Sequence, residues 1–210
     1  MSIRVERSEV HPSGPVPGRG PAAWHVRLAG LLLVAGPLVW ASSFIAKPAD
    51  LGEDEIYDFD MITSVFFLIA LFGLASVVLA SRATGDGKGR AFPIVPMVLF
   101  PFGVATSLGS VPYDTYDQTP LWVNATDPAW PLSQIAMLAS AIAIIKVGRW
   151  QGALRWLPLA GALWLVVGMA SQIALGEEAM AYVFTGWMIV TYAALGVLFL
   201  LRPQAVRTAA

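Results

Sequence analysis

MITSVFFLIALFGLASVVLAS, Met61 to Ser81, runs for 21 residues without a charge, closed by Asp60 before it and Arg82 after it. A helix needs about 20 apolar residues to cross roughly 30 Å of hydrocarbon. Lipid offers no partner to a free backbone N–H or C=O, so a spanning segment must satisfy these groups within itself, as a helix does. The stretch shows no alternation of apolar and polar residues of the kind a barrel strand carries. It reads as a transmembrane helix.

Five further windows of the same kind lie around it: 28–46, 91–113, 128–145, 156–176 and 179–201, each bounded by charged residues. The expectation is an all-α polytopic membrane protein, a six-transmembrane-helix bundle over residues 24–203. Residues 1–23, rich in Pro and Gly without apolar periodicity, read as a disordered tail, and 204–210 as a second short tail. Composition agrees. Hydrophobic residues make up 57% of the chain and charged residues 13%, against roughly 25% charged in soluble domains.

What is missing narrows the chemistry. The chain has no cysteine and two histidines, His11 and His25, both before the first window. Disulfides, thiolate metal sites, thiol nucleophiles and His-ligated haem within the bundle are excluded. The net charge of −1 leaves no basic domain for nucleic acid. No acid or base stands at mid-membrane depth, which argues against a proton-driven antiporter.

The charges separate by loop. Arg4, Arg7, Arg19, Arg27, Arg82, Lys88, Arg90, Lys146, Arg149, Arg155, Arg202 and Arg207 fall on one side, 12 of the 13 basic residues, leaving Lys47 opposite. The opposite side holds 11 of the 14 acids. By the positive-inside rule the basic side and both termini are cytoplasmic, in a cell-membrane protein.

The first outer loop carries Asp50, Glu53, Asp54, Glu55, Asp58 and Asp60; the second carries Asp114, Asp117 and Asp127. Tyr57, Tyr113 and Tyr116 stand among them, with Phe59, Trp122 and Trp130 nearby. Clustered carboxylates raise the local cation concentration and can bind a divalent cation through oxygen, while aromatic faces attract organic cations. A structural reading competes: Asp60, Asp127, Glu177 and Glu178 stand where carboxylates cap helix starts, and the rings suit anchoring at headgroup depth. Asp54-Glu55-x-x-Asp58 resembles, in spacing, the acidic motif by which prenyl-diphosphate enzymes hold magnesium. Such chemistry also requires basic residues, and Lys47 alone lies on this side.

Two further features point to the same end. Ser42, Ser43, Thr63, Ser64, Thr106, Ser107, Ser110, Ser133, Gln134, Ser171, Gln172 and Thr185 all fall in the outer half, as the lining of a hydrated vestibule would. Pro96 and Pro101 each remove a backbone bond from the third span and predict a kink or break there. Gly103-x-x-x-Ser107 in the third span and Ala136-x-x-x-Ser140 in the fourth predict a close approach of those two helices.

The leading functional expectation is binding or passage of a small cationic or amphipathic solute through an outward acidic vestibule. Its residues are Asp54, Glu55, Asp58, Asp60, Asp114, Asp117, Tyr57, Tyr113 and Tyr116. The alternatives are a membrane enzyme using those carboxylates on a lipid-soluble substrate, and an accessory subunit packed against another membrane protein. No organic cofactor is expected; a divalent cation at the acidic loops is the one inorganic candidate.

Overall fold

The computed structural model describes residues 20–48, 52 and 54–206. The predicted tail up to residue 19, Asp50, Glu53 and residues 207–210 lie outside them. Eight α-helices follow in order: α1 Ala23–Ala46, α2 Asp58–Ala80, α3 Ala91–Ser110, α4 Leu121–Thr126, α5 Ala129–Val147, α6 Ala153–Ala162, α7 Trp164–Leu175 and α8 Glu177–Leu201. Short 3-10 turns occupy Gly87–Arg90, Tyr116–Gln118 and Pro203–Val206. The described residues contain no strand.

Among the described residues, five segments are long and apolar enough to cross a membrane: α1, α2, Gly87–Ser110, Leu121–Val147 and Met180–Leu201. The fifth predicted span, 156–176, is occupied by a bent pair, α6 and α7, which meet at 50°. Several boundaries differ from the uncharged windows. Helix α1 starts at Ala23 and takes in Arg27, while α2 starts at Asp58 and takes in Asp60. A charge near a helix end reaches the interface along its own side chain and need not stop the helix.

The break is also displaced from the sequence expectation. Helix α3 runs unbroken through Pro96 and Pro101. The chain breaks instead at Leu163, five residues beyond Pro158, where the fully buried Trp164 starts α7. There the Ala160 carbonyl, near the end of α6, accepts a hydrogen bond from Trp187 Nε1 of α8 (2.8 Å). A neighbouring helix thus serves a backbone group at the break, as membrane bundles require.

Sequential helices are neighbours, as short connections dictate. Helix α1 packs on α2, α2 on α3, α3 on α5, α5 on α6, and the bent pair on α8, which returns to α1. Helices α1 and α8 approach each other closely. A Cβ on Gly30 would stand 2.7 Å from the Gly196 carbonyl oxygen, and one on Gly196 would stand 2.6 Å from that of Gly30. Gly36 similarly admits the Phe66 carbonyl of α2. The third and fourth spans do approach: helix α3 packs on α5, and a Cβ on Gly103 would stand 3.6 Å from the Trp130 ring. Past α8, the turn Pro203–Val206 folds onto α1, with Val206 fully buried.

A candidate site at the acidic end

The two acidic loops are joined. Ile56 N–H donates to the Asp114 carbonyl (2.8 Å) and Tyr116 N–H to the Asp54 carbonyl (3.3 Å), an isolated antiparallel bridge between Glu55 and Thr115. Ile56 is buried and pins the first loop to the bundle. The bridge brings Asp54, Glu55 and Asp114 side by side along two short extended segments. Glu55 Oε2 accepts the Gly52 N–H (3.1 Å), and Asp117 Oδ1 accepts the Thr115 hydroxyl (2.5 Å). The Tyr57 hydroxyl donates to the Ala46 carbonyl at the end of α1 (3.0 Å), and its ring meets Phe59 edge-on. Tyr113 N–H bonds the Ser110 carbonyl and turns the chain out of α3.

Asp60 is set apart from the other acids. Its Oδ1 accepts both Trp40 Nε1 (2.9 Å) and the Ser43 hydroxyl (2.5 Å), tying the first turn of α2 to the last turns of α1. The predicted capping role is not what it does: α2 and α5 both start without a side-chain cap bond. Tyr116 lies in the field of Asp60 and Asp127. Its removal from solvent, and then those two negative charges, push its phenol above the ordinary value of 10.0.

Beneath Asp60 the interior is filled by rings. Trp40 stacks on Phe67 at 4.8 Å and meets Phe44, Trp130, Trp164 and Phe184 edge-on at 5.5–5.9 Å. Trp164 and Phe184 are 4.8 Å apart, and Tyr192 closes on Phe67 at 5.5 Å. Trp164 Nε1 donates to Gln134 Oε1 (3.2 Å), and Gln134 Nε2 donates to the Ser133 hydroxyl (3.1 Å). Five helices therefore meet through aromatic edges and faces, each such pair adding roughly 0.5–1.5 kcal/mol beyond its buried area. Trp130, expected as an interfacial anchor, belongs to this interior cluster. Trp122 lies over Gly109, where a Cβ would collide with its ring.

The small polar side chains do not line an open vestibule. Ser43, Thr63, Ser64, Thr106, Ser107, Ser110, Ser133, Gln134 and Ser171 are all buried. Most of their hydroxyls bond the carbonyl three or four residues earlier in their own helix. Ser64 and Ser107 join α2 to α3 (3.1 Å), and Thr106 donates to Thr126 Oγ1 (2.8 Å). They act as packing and interhelical links.

The loops thus bring together Asp54, Glu55, Asp114, Thr115 and Tyr116, with Asp117 and Tyr113 adjacent in the chain, and hold Asp60 separately. Among the described residues, no three His, Asp or Glu side chains converge closely enough to hold a metal ion. The chain matches no protein-family model, no curated protein and no solved structure.

Proposed function

We propose that the chain is a six-span protein of the cell membrane with both termini cytoplasmic, and that its outward acidic end binds a small cationic or amphipathic solute. For the topology, two observations lend support. The turn after α8 packs against α1, so the two ends of the bundle's chain meet at the basic end. An even number of crossings brings them there, and counting α6 and α7 as one bent span gives six. The positive-inside rule then sets the basic end in the cytoplasm.

The observation that carries the binding reading is the backbone bridge between the two acidic loops. It gathers carboxylates and Tyr116 on one surface, and among the described residues none of these acids has a cationic side-chain partner. Their charge remains available to raise the local concentration of a cation. The favoured occupant is organic, because the acids stand along two strands of chain with rings between them and do not converge in threes. Tyrosine faces offer cation–π attraction to such a ligand. The packed rings and buried hydroxyls below favour recognition at the mouth over passage through an open pore.

The test is thermal stabilisation of the purified protein by tetraethylammonium, choline and calcium in turn, since a ligand that binds only the folded state raises its stability. The proposal expects a shift with an organic cation, lost in the combined variant Asp54→Asn, Glu55→Gln, Asp114→Asn, Asp117→Asn. An unchanged shift in that variant overturns it.

A further inference from the structure

At the opposite end, a groove of about 320 Å³ opens between Thr84 and Phe92 on one side and α5 on the other, where Ala139, Ile142, Ala143 and Lys146 line it. Its walls are apolar, and it faces outward from the bundle, where Phe92 and Ile142 stay exposed. Two polar groups stand in this apolar setting. Lys146, in the last turn of α5, has no ion-pair partner among the described residues. Thr84 is 3% exposed, and its buried hydroxyl has no hydrogen-bond partner. A cation in the last turn suits the helix dipole, but that accounts for neither the groove nor the unpartnered hydroxyl.

We propose that this groove holds an anionic phospholipid, one acyl chain along Phe92, Ala139, Ile142 and Ala143, with the headgroup phosphate at the Lys146 ammonium. The lysine stem lies along apolar surface while its charge reaches headgroup depth; Lys88 and Arg90, in the turn leading into Phe92, are not among the residues that line the groove. Basic pockets between membrane helices bind anionic headgroups for this reason. The occupant is a lipid and not a soluble anion, because the groove offers hydrocarbon contact along most of its length. The site is separate from the acidic end, so either proposal can fail alone.

Native mass spectrometry of the full chain, exchanged against an equimolar mixture of phosphatidylglycerol and phosphatidylcholine with identical acyl chains, tests it. The wild type should retain phosphatidylglycerol about fivefold over phosphatidylcholine, the preference one surface lysine supplies. Lys146→Gln, at an exposed position that leaves folding intact, should bring the two to parity. Arg27→Gln, a basic residue outside the groove, should leave the preference unchanged. Ala139→Trp should fill the groove and lower retention of both lipids. Parity in the wild type, or a preference that survives Lys146→Gln, overturns the proposal.

Discussion

The basic and acidic ends of the bundle treat their acids in different ways. At the basic end the one described acid is held between two arginines. Asp86 accepts from Arg149 (2.6 Å) and Arg82 (3.1 Å), Arg149 also donates to the Arg82 carbonyl, and Arg155 closes the end of α5 through the Ile145 carbonyl. At the acidic end the carboxylates meet hydroxyls, an indole and backbone N–H groups, but no cation among the described residues. Packing differs too. Near the basic end α1 and α8 touch backbone to backbone at Gly30 and Gly196, whereas towards the acidic end Trp40, Phe44 and Phe184 stand between them. Pairing an acid with arginines fixes a connection; leaving acids without a cation above a rigid aromatic floor gives a surface for a ligand.

The contrast can be broken most forcefully at that floor. Trp40→Ala removes a ring that contacts five others together with a donor to Asp60, and should cost about 3–5 kcal/mol, measured as a loss of thermal stability. Trp40→Phe, which keeps a ring and leaves Ser43 on the carboxylate, should cost less. At the glycine crossing, Gly196→Ala forces backbone to shift and should cost about 1–3 kcal/mol, by the same melts.

The acids themselves sharpen the contrast. Asp60→Asn should destabilise by about 1–3 kcal/mol, because it disturbs charge-assisted bonds to Trp40 and Ser43. Asp54→Asn or Asp114→Asn should change stability by less than about 0.5 kcal/mol while weakening cation-induced stabilisation. If the two classes behave alike in both readouts, the separation of structural from ligand-binding acids fails.

The smallest effect belongs to Asp86. Its hydrogen bond from Arg149 is the main cause that holds its pKa below the ordinary value of 3.8; partial removal from water opposes this, and the charges of Arg149 and Arg82 add to the lowering. Its contribution is therefore complete above that value and is lost as pH falls through the folded-state pKa. Arg149→Gln should remove that acid-side loss from pH-dependent melts and change little near neutrality, as expected of an exposed pair.

The spans were legible because charge is costly in hydrocarbon and so marks where each window ends. Their exact limits were not, because Arg27 and Asp60 sit inside helices, and the Asp60 carboxylate is met there by Trp40 and Ser43. Of the kink or break expected in α3, no break occurs, since Pro96 and Pro101 lie in a continuous helix, while the break at Leu163 depends on Trp164 entering a cluster made by four other helices. The acidic loops were visible as composition, but their bridge is a pairing of backbone groups some 60 residues apart, which side-chain identity does not encode. The Trp40–Asp60 bond was equally hidden, since it depends on how α1 and α2 face each other. Most of the small polar side chains expected to line a vestibule are buried links, because a hydroxyl can bond its own helix; Thr185 is buried without a hydrogen-bond partner, and Gln172 is exposed.

The topology beneath all of this can be measured on a chain with no native thiol. Three single variants, Gln118→Cys, Gln151→Cys and Gln204→Cys, place one exposed thiol at the acidic end, at the α5–α6 connection and after α8. With a membrane-impermeant thiol reagent on intact cells, Gln118→Cys should label at once. Gln151→Cys and Gln204→Cys should label only after permeabilisation. Labelling of Gln204→Cys from outside with Gln151→Cys protected would mean five crossings, and protection of Gln118→Cys with labelling of the other two would reverse the orientation; either result contradicts a six-span bundle whose acidic end faces out.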